Sequence, residues 1–261
     1  MKKILLILCI ALGIYYTLSC HGREENKNPI RKEGDKTILV YGNGLDPAYI
    51  EYVIFLTGKP RPKVCFFPTA AADDPRVIDY WSRMVSDLPL EPIVIRTFIS
   101  SAPGQKTFAE EILSSDAVIV GGGNTLNMLA VWKVQGIDTL LKQAYEQGIV
   151  LAGGSAGSLC WFTGGYSDSR PKALSLIEGL GFLDFSHSPH YNEPQRRSLF
   201  KEAILSGALQ PGFACDDDAG LLFINGKMVK SLSLHQDRHN YYVTIKNGKI
   251  SEERLTAEII K

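Results

Sequence analysis

The chain has 261 residues, with 28 Lys and Arg against 28 Asp and Glu, 45% hydrophobic residues and 10% aromatic residues. This composition is typical of a globular protein and excludes a disordered chain, a collagen and a coiled-coil rod. The formal net charge is +0 and no basic stripe is present, so we expect no nucleic-acid partner.

The first twenty residues have the pattern of an export signal. Two lysines precede an apolar stretch from Ile4 to Leu18, which ends at Ser19 and Cys20. A membrane-spanning helix needs about 20 apolar residues, so the shorter stretch predicts a signal peptide over residues 1–20. A Cys after a small residue resembles a bacterial lipoprotein cleavage site and makes Cys20 the lipidated N-terminus. An uncleaved anchor and a secreted protein cut elsewhere are the alternatives.

This N-terminal pattern also predicts where the protein acts. We expect export from the bacterial cytoplasm and lipid anchoring to a membrane that faces the periplasm or the exterior. The lipid anchor is then the expected contact with the membrane. Residues 21–36 are polar and are expected to form a tether between the anchor and the folded domain.

From residue 37 onward, short apolar runs alternate with amphipathic runs, which predict strands and helices respectively. The predicted strands are Thr37–Tyr41, Lys63–Pro68, Glu91–Phe98, Asp116–Val120 and Gly148–Ala152, and the predicted helices are Ala48–Leu56, Asp74–Leu88, Phe108–Leu113, Leu126–Lys133 and Ile137–Glu146. This alternation indicates an α/β fold, with a doubly wound, mostly parallel sheet covered by helices on both faces. Three later runs, Gly220–Ile224, Lys227–Leu234 and Asn240–Ile245, predict a small antiparallel extension of the same sheet. We expect a single domain over residues 37–261.

Two glycine-rich turns follow predicted strands, at the edge where ligands bind in such sheets. The first turn contains Gly122, Gly123 and Asn124, whose exposed N–H groups could bind an oxyanion. A tight turn with a helix N-cap is the alternative interpretation. The second turn is a G-x-S-x-G elbow centred on Ser155, which predicts a nucleophile projecting at the top of the sheet, with the Ala156 N–H as an oxyanion donor.

A nucleophilic serine needs a histidine base close to it. His187 and His190 lie in a segment rich in polar and turn residues, from which a side chain can reach the elbow. His235 and His239 fall on or beside a late hairpin, where solvent exposure or a local hydrogen bond is the expected role.

The third member of such a site is a carboxylate that fixes the imidazole tautomer. Asp168 and Glu193 are the preferred candidates because both lie near this segment in the sequence. Asp184 and the run Asp216–Asp218 are weaker alternatives. Three adjacent Asp residues more often form an acidic loop than a metal site, because neighbouring side chains diverge.

Three motifs together resemble the dipeptidase E and cyanophycinase family of serine peptidases, in its dipeptidase-E-like subgroup. They are GGGNT at 121–125, GGSAGS at 153–158 and SPHYNEPQRR at 188–197. The resemblance spans about residues 37–235 and implies a flavodoxin-like sheet related to class I glutamine amidotransferases. It also implies Ser155 as nucleophile, His190 as base and Asp168 as acid, with oxyanion contacts from the GGGN turn. We expect no cofactor and no metal. The SPHYNE loop keeps Glu193 as a rival to Asp168.

The resemblance further implies a short peptide as substrate. Family members that remove an N-terminal Asp need a cation for its side chain, and Arg170, Arg196 and Arg197 are the candidates. Solvated surface charges are the alternative role for all three. A homodimer is one option for the oligomeric state.

Two other functions remain open at the level of sequence. One is an α/β-hydrolase-type esterase, in which the base comes late in the chain and would be His235 or His239. The other is a non-catalytic binding lipoprotein that keeps the fold and its pocket.

Overall fold

The computed structural model describes residues 30–261. In chain order, these residues form β1 (Thr37–Tyr41), α1 (Pro47–Thr57), β2 (Lys63–Phe67), a 3-10 turn (Thr69–Ala71), α2 (Pro75–Met84), β3 (Glu91–Val94), α3 (Phe108–Leu113), β4 (Ala117–Val120), α4 (Thr125–Gln135), α5 (Ile137–Glu146), β5 (Val150–Gly154), α6 (Ala156–Leu159), β6 (Phe162–Ser167), β7 (Ser175–Glu178), β8 (Leu183–Ser188), α7 (Pro194–Leu205), β9 (Gly212–Cys215), β10 (Ala219–Ile224), β11 (Lys227–Ser233), β12 (Asn240–Lys246), β13 (Lys249–Leu255) and β14 (Glu258–Ile259). All five strands and five helices predicted for the first half are therefore present.

The larger sheet has eight strands in the order β14-β11-β10-β1-β5-β4-β2-β3. The five strands from β1 to β3 are mutually parallel, and β10 and β11 add an antiparallel hairpin beside β1. Alternate residues of β1 enter two different apolar clusters: Ile38 and Val40 face one, and Leu39 and Tyr41 face the other. Both faces of this sheet are therefore buried, and the flavodoxin-like α/β prediction is confirmed.

A second sheet of six strands, in the order β13-β12-β9-β8-β6-β7, lies beside the first. The expectation that Asn240–Ile245 extends the larger sheet was wrong, because β12 pairs with β9 and β13. Strands β6, β7, β8 and β9 of this sheet were not predicted, and β6 and β8 show why. They read FTGGYS and LDFSHS, and their glycines and polar residues hide the apolar pattern.

The predicted strand Glu91–Phe98 ends at Val94, because backbone groups near its predicted end are hydrogen-bonded to a side chain instead of to a neighbouring strand. The buried Asp73 carboxylate accepts the backbone N–H groups of Thr97 and Phe98, which removes them from a ladder. The chain therefore turns away from β2 at this point.

The described part of the predicted tether packs against the domain. The Arg31 guanidinium donates to the carbonyl oxygens of Leu56 and Gly148. The Lys36 N–H donates to Asn225 Oδ1, and the Lys36 carbonyl accepts the Asn225 N–H. Residues 30–36 therefore contact the folded domain, and a tether over residues 21–36 stays a prediction. The predicted signal peptide, Cys20 and residues 21–29 lie outside the described residues. Among the described residues, no helix has the length and apolar character needed to cross a membrane.

Candidate active site

The serine elbow is built where β5 ends and α6 begins. Ser155 has φ 54° and ψ −115°, a conformation that costs a non-glycine residue free energy and is common at functional sites. Its glycine neighbours permit this turn. A Cβ at Gly154 would overlap the Asn43 carbonyl, and a Cβ at Gly157 would overlap the Val120 carbonyl. The close packing therefore fixes Ser155 at the carboxyl edge of the parallel strands.

Three side chains form a continuous hydrogen-bonded chain from this serine. His190 Nε2 lies 2.9 Å from Ser155 Oγ, and His190 Nδ1 lies 2.7 Å from Asp217 Oδ1. A carboxylate only accepts, so Nδ1 carries the proton and Nε2 of the neutral ring accepts from the serine hydroxyl. This is the tautomer that a general base for Ser155 requires.

Asn192 holds the carboxylate of Asp217 from its other side. The Asn192 Nδ2 amide donates to Asp217 Oδ2 at 2.9 Å, and Asn192 Oδ1 accepts the Asp217 backbone N–H at 2.8 Å. Burial raises the pKa of the Asp217 carboxyl, but the hydrogen bonds from Asn192 and His190 outweigh it and leave that pKa below its usual range. Asp217 is therefore an anion in a fixed orientation at neutral pH.

The two preferred carboxylates of the sequence analysis do not contact His190. Asp168 Oδ2 lies 3.2 Å from Arg196 Nη2, and Glu193 Oε2 lies 2.8 Å from Arg196 Nε. The Arg196 side chain is only 7% exposed and needs such partners, which explains where both carboxylates are directed. The expectation that Asp168 or Glu193 orients His190 is therefore corrected, and Asp217 occupies that position.

The arginines expected to bind an acidic substrate already have partners within the chain. Arg196 is neutralised by the two carboxylates just described. Arg197 pairs with Glu252, and its guanidinium lies over the rings of Tyr191 and Tyr241 at 5.2 and 4.7 Å from their centroids. Arg170 donates to Ser175 and to the Leu176 carbonyl in β7. Each of the three arginines therefore has hydrogen-bond partners within the chain.

The expected oxyanion donors are free to bind a substrate oxygen. Gly122 packs against Ser155: a Cβ at Gly122 would lie 3.2 Å from the Ser155 Cβ. Among the described residues, the N–H groups of Gly122, Gly123 and Ala156 donate to no acceptor. Asn124 is engaged differently, because its side chain caps α4 and donates to the Ser169 carbonyl.

The remaining histidines of the described chain do not contact Ser155. His187 is fully buried and stacks on Phe162, and burial lowers the pKa of its ring to about 3. Its Nδ1 donates to the Phe213 carbonyl and its Nε2 faces the Ser158 hydroxyl at 3.1 Å. His235 Nε2 lies 3.9 Å from Asp218 Oδ2, and the backbone of His239 bonds to Asp216.

The Asp216–Asp218 run has three separate roles rather than one shared ligand. Asp216 is buried against the His239 backbone, Asp217 faces His190, and Asp218 accepts from the Asn43 amide. Within residues 30–261, no group of three His, Cys, Asp or Glu side chains could hold a metal ion. Asp217 and Asn192 are the residues that sequence reasoning undervalued. The one available signal was that the Asp run directly follows an apolar segment ending at Cys215.

The fold and this site together define a serine-type hydrolase. The description "Peptidase family S51" matches residues 39–231, and the chain belongs to that family. It is 34% identical over 232 residues to the uncharacterized peptidase YgaJ of Bacillus subtilis, covering 86% of this chain and 99% of that protein. It is also 26% identical over 189 residues to the uncharacterized peptidase Lmo0363 of Listeria monocytogenes, covering 70% and 90% of the two chains.

Solved structures share the fold. A peptidase from an acI-B1 actinobacterium superposes with a TM-score of 0.68 at 17% identity, covering 88% of this chain and 98% of the other. A putative peptidase E protein from Listeria monocytogenes superposes with a TM-score of 0.60 at 18% identity, covering 77% and 100%. This chain is therefore a peptidase homologue with a peptidase E-like fold.

Proposed function

We propose that this protein hydrolyses short peptides through an acyl-enzyme on Ser155. The observation that carries the proposal is the hydrogen-bonded chain Ser155–His190–Asp217, with its two short contacts at His190. Membership of peptidase family S51 supports a peptide as the substrate. The resemblance of the GGGNT, GGSAGS and SPHYNEPQRR motifs to the dipeptidase E family supports a dipeptide or another short peptide.

The first half of the reaction forms the acyl-enzyme. His190 Nε2 takes the proton of the Ser155 hydroxyl while Oγ attacks the peptide carbonyl carbon. The negative charge that develops on the carbonyl oxygen is stabilised by the free N–H groups of Ala156 and of Gly122 or Gly123. His190 then gives its proton to the leaving amine, the C–N bond breaks, and Ser155 is left esterified.

The second half regenerates the enzyme. A water molecule loses a proton to His190 Nε2 and attacks the ester, and the returning proton releases the acid product from Ser155 Oγ. In both halves His190 carries a positive charge transiently. Asp217 stabilises that charge through its bond to Nδ1, and it stays ionised throughout.

The esterase alternative needs a late histidine near the serine. His235 and His239 each contact the Asp216–Asp218 segment, whereas His190 contacts Ser155 directly. We therefore place the base on His190 and favour the peptidase.

The proposal is tested by incubating the purified protein with a dipeptide library and measuring release of free amino acids by mass spectrometry. The matched control is Ser155→Ala, which keeps the elbow and removes only the hydroxyl. We expect turnover that is lost in this variant. Turnover that persists in Ser155→Ala, or no turnover of any peptide by a folded protein, would contradict the proposal.

The N-terminal sequence adds a proposal about location. The apolar segment that ends at Cys20 supports export and lipid attachment at that cysteine. The mass of the mature N-terminal peptide from cells tests it: a diacylglyceryl-modified Cys20 is expected, and an unmodified Met1 would contradict it.

A further inference from the structure

A cavity of about 410 Å³ lies next to the segment that carries Asp217. It is formed by the connection between β11 and β12 and by the chain from the end of β13 to β14. Its polar lining consists of His235, Gln236, Arg238, His239, Arg254 and Thr256, and the other lining side chains are apolar. A volume of this size is typical of a small-molecule site and is many times that of one water.

The ionisable side chains that line this cavity are all basic. Arg238 and Arg254 carry permanent positive charges, and within residues 30–261 neither makes an ion pair with a carboxylate. Among the described residues, no acidic side chain lines the cavity itself. Carboxylates do lie close to it: Asp216 Oδ2 accepts the His239 N–H at 3.0 Å, and Asp218 Oδ2 lies 3.9 Å from His235 Nε2. Asp237 and Glu258 also adjoin lining residues in the chain. Two guanidinium groups that share one cavity repel each other, and a bound anion relieves that repulsion.

We propose that this cavity is a binding site for an oxyanion, a carboxylate or a phosphate group, held chiefly by Arg238 and Arg254. The planar guanidinium presents paired N–H donors that match the two oxygens of such a group. The Gln236 amide, the Thr256 hydroxyl and the two imidazoles supply further hydrogen-bond donors around the same space.

The site adjoins the machinery around Ser155 through the Asp216–Asp218 segment. The His239 N–H donates to Asp216 Oδ2 at 3.0 Å, and the Asp216 N–H donates to the His239 carbonyl at 2.9 Å. Arg238 is also among the groups that lower the pKa of Asp217 against the opposing effect of burial. An anion in the cavity therefore sits beside the loop that orients the base.

Calorimetric titration of the full chain with inorganic phosphate tests the proposal, with sodium chloride used to hold ionic strength constant. The test variant is Arg238→Gln/Arg254→Gln. The matched control is Arg61→Gln/Arg96→Gln, which removes the same charge from exposed arginines outside the cavity. We expect saturable binding of one phosphate per chain, unchanged in the control and weakened at least about tenfold in the test variant, as for the loss of one good charged hydrogen bond.

Either of two results would overturn the proposal. One is the absence of saturable binding at constant ionic strength, and the other is equal affinity in the test variant and the wild-type chain. If the double variant does not fold, Arg254→Gln alone serves, because Arg254 is exposed at the end of β13. That single change must still weaken phosphate binding measurably.

A competition experiment distinguishes a substrate carboxylate from a free anion. In the Ser155→Ala protein, phosphate is titrated in the presence of a dipeptide or of the same dipeptide with an amidated C-terminus. Competition by the acid alone identifies a substrate carboxylate as the ligand, and competition by neither identifies a free anion; both results support an oxyanion site. Equal competition by the amide contradicts it, because the amide presents no C-terminal oxyanion.

Discussion

The two ring nitrogens of His190 have different partners, and this difference determines what each neighbouring residue can do. Nδ1 faces a carboxylate and Nε2 faces a hydroxyl, at 2.7 and 2.9 Å. His190 itself has φ 52°, so both it and Ser155 are held in backbone conformations that favour glycine. Strain at both residues indicates that the surrounding structure fixes their positions.

The first prediction concerns the acid of this site. Asp217→Asn replaces an acceptor by a group that can also donate, which permits the wrong imidazole tautomer and removes the negative charge. We expect kcat/KM for a peptide substrate to fall by about 10⁴-fold. Asp168→Asn is the control, because Arg196 keeps Glu193 as a partner, and a loss of no more than about fivefold is expected. A larger loss of kcat/KM in Asp168→Asn than in Asp217→Asn would show that Asp168, and not Asp217, is the acid of the site.

The second prediction concerns Asn192, which contacts Asp217 but not Ser155 or His190. Asn192→Ala removes the hydrogen bond to Asp217 Oδ2 and the acceptor of its backbone N–H. A lost hydrogen bond to a charged group is worth about 1.5–3 kcal/mol, so we expect kcat to fall at least about tenfold. KM should stay unchanged, because this side chain positions Asp217 rather than substrate.

The control for Asn192 is Gln210→Ala. The Gln210 amide makes comparable contacts with Thr163 and Asp184 near the start of β8, whereas His190 follows the end of that strand. This variant should keep both kcat and KM. A one-dimensional proton spectrum adds a direct readout, since the downfield Nδ1–H signal of His190 should shift in Asn192→Ala only. An unchanged signal with unchanged kcat would remove Asn192 from the positioning network.

At the scale of elements, β13 anchors the loop that carries His190. Glu252 in β13 accepts from the Tyr191 hydroxyl at 2.8 Å and pairs with Arg197 and Lys201 of α7. Burial raises the pKa of the Glu252 carboxyl, but the hydrogen bonds from these three residues leave it below its usual range. Strand β13 of the second sheet therefore holds both the histidine loop and α7 through one ionised side chain.

The third prediction follows from this anchor. Glu252→Ala leaves the Arg197 charge and the buried Tyr191 hydroxyl without their partner, so we expect the free energy of unfolding in urea to fall by about 1–3 kcal/mol. Glu258→Ala is the control, because Glu258 is exposed and, within residues 30–261, forms its ion pair with Lys230; a change below about 1 kcal/mol is expected. Similar losses of unfolding free energy in both variants would show that the contacts of Glu252 stabilise the protein no more than an exposed ion pair does.

The parallel half of the fold was readable from the sequence, and the second sheet was not. Runs such as Thr37–Tyr41 and Ala117–Val120 are buried on both faces, so they are apolar throughout and stand out. In β8 the buried residues include Ser186, His187 and Ser188. Ser186 donates to the Gln210 carbonyl, and the two His187 nitrogens face Ser158 of α6 and Phe213 of β9. Burial of this kind depends on tertiary contacts and leaves no apolar run in the sequence.

The candidate site divides in the same way. Ser155 was marked by its local elbow motif and His190 by its loop, and both lie in the expected contact. Asp217 is 27 residues from His190 and reaches it because β9 pairs with β8, which the sequence analysis did not predict. Asp168 is nearer Ser155 in sequence, but its carboxylate pairs with the buried Arg196 guanidinium and not with His190.

At the scale of the whole molecule, the two sheets meet at a buried histidine. His187 belongs to β8 of the second sheet, and its Nε2 faces Ser158 of α6, which follows β5 of the first sheet. Burial holds the pKa of His187 at about 3 in the folded chain, against an ordinary value of about 6.5 in the unfolded chain. The folded protein therefore keeps this ring neutral where the unfolded protein binds a proton.

The fourth prediction is a dependence of stability on pH that comes from this ring. Its contribution is fully present above about pH 6.5 and is lost as the pH falls toward 3, by about 1.4 kcal/mol per pH unit. Urea unfolding between pH 7 and 4 should show a steeper loss in the wild-type chain than in His187→Gln. His235→Gln removes an exposed histidine and should keep the wild-type slope. If the free energy of unfolding depends on pH equally in His187→Gln and wild type, the acid sensitivity comes from the carboxylates and not from His187.

The most direct test of the central claim is the rate at which a fluorophosphonate labels Ser155, measured by intact and peptide mass spectrometry. We predict one adduct on Ser155 that is absent from Ser155→Ala. Labelling should be slowed by about 10²-fold or more in His190→Ala and Asp217→Asn, the usual range for a lost general base, and stay at the wild-type rate in Asp168→Asn. Wild-type labelling of Asp217→Asn, or slow labelling of Asp168→Asn alone, would contradict the assignment of Ser155, His190 and Asp217 as the reactive group.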